Sequence, residues 1–143
     1  MEENLKQVLL KDLCARLPYG VKVYDTKSSA NVPYMNLCHV NGIVNEVFIS
    51  SGMICRTASI EDIKPYLFPI SSMTEEQKRE LSNICKCLIH FTDWEIYFPN
   101  YEDNNMGNWQ KIVSWMYKNH YDINGLIEKG LAIDASGLNI KIY

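Results

Sequence analysis

No apolar run in these 143 residues approaches the ~18 needed for a membrane-spanning helix, so no such span is expected. Positive charge is scarce as well. Lys and Arg total 14 against 17 Asp and Glu, a net charge of -3. Proteins that hold nucleic acid by bulk charge concentrate their cations, so a nucleic-acid accessory role is disfavoured. The five cysteines are an odd number, and their spacing fits no disulfide framework. The opening Met1-Glu2-Glu3-Asn4 lacks the basic start and apolar middle of a signal peptide. Reduced thiols in a cytosol are the expectation. Catalytic signatures are missing too. The chain contains no G-x-S-x-G elbow, no H-E-x-x-H helix, no G-x-x-x-x-G-K-[ST] loop and no G-x-G-x-x-G.

What is present is ordinary globular material. Hydrophobic residues make up 47% and charged residues 22%, enough to bury a core. No repeat, low-complexity tract or long linker divides the chain, so residues 1–143 are expected to form a single domain.

Leu5, Leu9, Leu13 and Leu17 recur at every fourth position with Leu10 beside them, which predicts an amphipathic helix over residues 2–16. Asp12 and Arg16 lie four apart and are expected to pair weakly on its surface. Pro18 and Gly20 end it. Val21 to Tyr24 alternates as a half-buried strand does. Tyr34 to Val40 and Ile43 to Ile49 flank Asn41-Gly42, the dipeptide of a type I′ hairpin turn with positive φ at both residues. Met53 to Ala58 supplies a further strand. Ser59 caps a turn that Pro65 and Pro69 keep short, and Ile63, Leu67 and Ile70 plug the open end of the sheet. Thr74 to Gln77 spells a capping box, with a helix running to about Leu88. A strand is expected from Trp94 to Phe98, and a helix carrying Trp109, Ile112, Val113, Met116 and His120 on one face. Asp122 is placed to cap a short final helix over residues 123–129, closed by Gly130. Leu138 to Ile142 alternates as an edge strand would. The fold class expected is α+β: a small antiparallel meander of about four strands, packed with an N-terminal helix and C-terminal helices.

Three stretches carry a resemblance. They are Leu9-Leu10-Lys11-Asp12-Leu13-Cys14-Ala15-Arg16-Leu17-Pro18-Tyr19-Gly20-Val21-Lys22-Val23, the segment from Ile60 through Lys64-Pro65-Tyr66-Leu67-Phe68-Pro69 to Gln77, and Gly125-Leu126-Ile127-Glu128-Lys129-Gly130-Leu131-Ala132-Ile133-Asp134. In this order and spacing the chain resembles an uncharacterised family of short proteins encoded by Bacteroidales gut bacteria and their phages and prophages. The resemblance carries over no functional residue. It implies a context, that of a mobile-element protein working inside a bacterial cell.

No catalytic site, metal or cofactor is expected. Cys85-Lys86-Cys87 with His90 invites a metal reading, but Leu81, Ile84, Cys85 and Leu88 share a helix face. Residues two apart on a helix point about 200° apart and cannot grip one ion. Zinc would need two further ligands, and Cys38-His39 is the other close Cys/His pair. In a strand those two side chains point to opposite faces. The carboxylate pairs Glu61-Asp62 and Glu75-Glu76 fall in first turns of helices, where they face the dipole favourably. Glu102-Asp103 lies in a loop without EF-hand spacing.

The aromatic residues are unevenly placed. All three Trp lie between Trp94 and Trp115, with Tyr97, Phe98, Tyr101, Tyr117 and Tyr121 nearby and only Lys111 and Lys118 as cations. Surfaces for single-stranded nucleic acid interleave aromatics with Lys and Arg, so this pattern suits a protein interface or a stacking pocket better. Trp109 belongs to the apolar stripe of its helix, and Trp115 lies about 120° away on the flank. The candidate contact residues are Trp94, Tyr97, Tyr101 and Trp115, and the expected function is non-enzymatic binding of a host protein, or self-association. The alternative is an anti-defence protein that sequesters a small nucleotide signal, with Arg56 beside the Gly52 turn as its cation.

Overall fold

The computed structural model describes residues 1–27, 35–52, 54–93 and 95–138. Tyr34, Met53, Trp94 and residues 139–142, to which expected strands extended, lie outside the described residues.

The leucine repeat forms α1 (Glu3–Arg16), followed by a 3-10 turn (Leu17–Tyr19) in which Pro18 blocks further helix. Four strands follow: β1 (Lys22–Asp25), β2 (Met35–Asn41), β3 (Glu46–Ser51) and β4 (Ile54–Ser59). Each pairs antiparallel with the next. Inward positions Val23, Met35, Leu37, Val47, Ile49 and Ala58 pack under Leu9 and Leu13 of α1 and form the first of the two larger apolar cores among the described residues. The other face carries Tyr24, Cys38, Phe48, Cys55 and Thr57, all exposed.

The four-stranded meander is only part of the sheet, and the expected fold class is corrected here. Ile63–Leu67 is a strand, β5, which pairs antiparallel with β1. Ile133–Asp134 forms β8, which pairs parallel with β5. The sheet is therefore six-stranded and mixed, in the order β4-β3-β2-β1-β5-β8. Ile63 and Leu67 do not plug an open end; they are strand residues of the sheet itself. Pro65 sits opposite Val23, and β8 covers the other edge of β5 only from Tyr66 on, so a missing N–H is tolerated there.

The second core lies between α2 (Glu75–Cys85), α3 (Met106–Lys118) and a two-stranded hairpin of β6 (His90–Phe91) and β7 (Ile96–Tyr97). It is built from Leu81, Cys85, Phe98, Ile112, Trp115, Met116 and Tyr121. The Thr74 capping box is complete. Thr74 accepts from the Gln77 N–H, and the Gln77 side chain accepts from the Thr74 N–H. α2 stops at Cys85 because Lys86 turns left-handed. The chain after α3 returns to the sheet through paired bonds: Phe68 N–H to the His120 carbonyl and Asp122 N–H to the Phe68 carbonyl, each 2.8 Å.

Three local expectations change in form. The hairpin between β2 and β3 exists, but its loop runs through residues 42–45 and the left-handed residue is Asn45 (φ 52), not the Asn41-Gly42 pair. The Asn41 side chain accepts the Ile43 N–H, an Asx turn that takes the place of a two-residue I′ turn. The expected helix over 123–129 is a series of turns. Gly125 is left-handed at φ 69 and breaks it, while the Asp122 carboxylate still gathers the N–H groups of Leu126 and Ile127. Asp12 and Arg16 are not a surface pair at all. Both are 0% exposed, with Arg16 Nε 2.6 Å from Asp12 Oδ1.

Candidate functional site

The candidate contact residues separate into different environments. Tyr97 on β7 is 45% exposed and Tyr101, in a 3-10 turn before α3, is 91% exposed. Trp94 lies outside the described residues. Trp115 is corrected from surface to core. It is 7% exposed and stacks on Tyr121 with ring centroids 5.6 Å apart and planes 10° apart. Its position on α3 explains this: the flank of the stripe faces α2, and there the indole Nε1 meets Glu80 Oε1 at 3.4 Å. Trp109, on the stripe itself, is half-buried; its Nε1 donates to Asn104 Oδ1 at 2.6 Å and its ring meets Phe98 edge-on.

Arg56 is not a free cation. Its side chain faces the inner side of the sheet, where Nη2 donates to Asp25 Oδ1 at 2.9 Å and Nε lies 2.5 Å from Asp25 Oδ2. Asp25 is buried, so releasing Arg56 to a phosphate would strand a carboxylate in the core. The nucleotide reading loses the cation it relied on.

The edge of Trp115 does reach a surface. It lines a shallow groove of about 540 Å³ with Tyr19, Ile84, Lys111, Ser114 and Lys118. Gly107, Lys111, Ser114 and Lys118 recur at helical spacing, so one face of α3 supplies the floor. The N-terminal end of this helix exposes both kinds of residue, with Glu102, Asn104 and Asn105 exposed between Tyr101 and Met106. Met106, the first residue of the helix, is 76% exposed, and Leu88 is 56% exposed. Leu88 follows Cys87, whose sulfur lies 3.9 Å from the Asn108 amide. Asn105 holds this end in place by accepting the Asn108 N–H as the helix cap. Sequence reasoning proposed Tyr101 and Trp115 but not Tyr19, Ile84, Met106, Lys111 or Lys118 as contact residues. The seven-residue, two-turn spacing of Lys111 and Lys118 was the available signal for the groove.

A second cleft, about 360 Å³, is lined by Asp93, Asp122, Glu128 and Asp134 with Ile70 and Ile127. Two of these carboxylates are occupied by their own chain: Asp122 by two backbone N–H groups, and Asp134 by the N–H and hydroxyl of Ser136. Among the described residues, no group of three or more His, Cys, Asp or Glu stands in metal-binding arrangement. A bulge between Leu37 and His39 breaks strand alternation and leaves Cys38 and His39 both exposed, rather than on opposite faces. Burial pushes the Cys85 and Cys87 thiols above their usual range, the Asp103 carboxylate raises Cys87 further, and Lys111 acts in the opposite direction on both. They are therefore protonated and poorly nucleophilic near neutral pH.

In comparisons with protein-family models, curated proteins and solved structures, nothing matches this chain.

Proposed function

We propose that this chain is a non-enzymatic binding protein that works through protein–protein contacts, with the α3 face as its contact surface. The observation that carries the reading is the cluster of exposed Tyr101, Met106 and Leu88 around the N-terminal end of α3, beside the Trp115 groove. Exposed apolar residues scattered singly are ordinary. Three large ones flank one helix end, with exposed Glu102, Asn104 and Asn105 between two of them, and such a mixture of apolar anchors and polar neighbours suits an interface. The intracellular phage or prophage setting implied by the resemblance belongs to the same proposal.

The test is a pull-down from host-cell extract with wild type, Tyr101→Ala and Met106→Ser. An anchor aromatic contributes about 2 kcal/mol or more, roughly thirty-fold in affinity. A partner retained by wild type and lost by both variants, with unchanged melting midpoints, supports the reading. A partner retained by both overturns it.

A further inference from the structure

We propose that the partner on this face is a second copy of the chain, docked about a two-fold axis that passes beside Ile84. This rests on the contact-surface reading above and names its occupant. Two recesses adjoin on the α2–α3 side, and Ile84 lines both. One is acidic and belongs to α2, with Glu76 and Glu80 around Arg79 and Asn83. The other is basic and belongs to α3, with Lys111 and Lys118 over the edge of Trp115. Charge on this surface therefore changes sign across one half-exposed isoleucine.

Such a surface is complementary to itself. A two-fold axis at Ile84 exchanges the halves, laying the carboxylates of each copy on the lysines of the other and one Ile84 against its mate. In an isologous contact residue i meets j while j meets i, so every attraction is made twice. A contact of one copy's lysines with the other's lysines would instead be repulsive, which fixes the register. The charges are available. Among the described residues, no ion pair engages Glu76, Glu80, Lys111 or Lys118, although Lys6, Arg16, Arg56 and Lys78 are all paired. Among the described residues, the side-chain hydrogen bond to this set is the 3.4 Å approach of the Trp115 indole to Glu80. Arg79 offsets part of the acidic half, and exposed ion pairs are individually weak, so the dimer is salt-sensitive and forms at high protein concentration.

The test is sedimentation velocity over a concentration series with four samples: wild type, Lys111→Glu/Lys118→Glu, Glu76→Lys/Glu80→Lys, and an equimolar mixture of the two variants. Wild type should dimerise, more weakly in high salt. Each variant alone should associate at least about tenfold more weakly, because like charges then face each other in both halves. The mixture should restore the dimer, since the reversed lysine positions of one variant meet the reversed carboxylate positions of the other. Restoration also demonstrates that both variants are folded. A wild type that stays monomeric at every concentration overturns the proposal, as do variants that still dimerise alone or a mixture that fails to associate. A monomeric wild type whose pull-down partner is lost in Tyr101→Ala removes the second copy but leaves the contact surface standing.

Discussion

Arg16 Nη2 donates to the backbone carbonyl of Tyr121 at 2.7 Å, joining positions 105 residues apart in sequence. The same guanidinium is held by Asp12, and its carbon lies 4.9 Å from the centre of the Tyr117 ring. Asp12 Oδ2 in turn accepts from the Asn124 amide at 2.8 Å. This buried ion pair is the polar joint between the sheet core under α1 and the helical core around α3. Nη1 has no protein acceptor among the described residues.

Removing one member of such a pair leaves an uncompensated buried charge. Asp12→Ala should therefore lower unfolding stability by about 3–5 kcal/mol. The double variant Asp12→Leu/Arg16→Met should lose less than Asp12→Ala alone, because apolar groups of similar size carry no stranded charge. Urea unfolding with linear extrapolation compares them. A loss below about 1 kcal/mol in Asp12→Ala would mean that the pair is solvated in solution.

Thr74→Ala removes one arm of the α2 capping box and should cost about 0.5–2 kcal/mol. Gln77→Ala should cost more. Gln77 Oε1 accepts the Thr74 N–H and also the Tyr121 hydroxyl, at 2.9 and 2.5 Å. Tyr121 is the ring on which Trp115 stacks, so the cap is tied into the core. Thermal unfolding of both variants ranks them, and equal midpoints would show that the Tyr121 bond adds nothing.

His120 gives the fold a pH dependence of known sign. It is buried, and burial followed by the Arg16 charge pushes its pKa below the usual 6.5. The unfolded chain therefore binds this proton more readily than the folded one. Stability from this group is fully present above about pH 6.5 and is lost as pH falls through the lower, folded value. Denaturant midpoints measured from pH 7.5 down to 5 should decline. In His120→Asn, which keeps a residue tolerant of the left-handed backbone at φ 65, the decline should be shallower. An identical slope in both proteins would assign the pH response to other groups.

Trp115→Ala should behave as a core truncation, losing about 3–5 kcal/mol. Tyr101→Ala, at a position 91% exposed, should leave the melting midpoint within error. Differential scanning calorimetry on the two separates core aromatic from surface aromatic. A stable Trp115→Ala would return that residue to the surface.

Much of the framework was legible because its signals are local. The leucine repeat, the capping box and the alternation in β1 to β4 each draw on a few neighbouring residues. What the sequence concealed depended on distant partners. Ile63 to Leu67 carries a proline and reads as the end of a short turn with apolar plugs, and only β1 on one side and β8 on the other make it a strand. β8 spans just Ile133–Asp134, too short for any periodicity. An Asp and an Arg four apart read the same on a wet helix face as on a dry one, and only Tyr121, Asn124 and Tyr117 decide which it is. The site was partly visible for the same reason. Tyr101 lies in a polar loop that announces exposure, whereas the burial of Trp115 depends on Tyr121 and Glu80.

The order of synthesis gives the parallel β5–β8 pairing a further meaning. A ribosome delivers β1 to β5 early, yet the outer edge of β5 takes its bonds from residues 120–135. Until those emerge, Leu67 and Phe68 present bare backbone groups, and Arg16 has no Tyr121 carbonyl to grip. A nascent chain paused between α2 and α3 is thus an open sheet with a sticky edge and a half-paired charge. Such stalled chains should engage chaperones, and release from them should coincide with the arrival of the segment that follows α3.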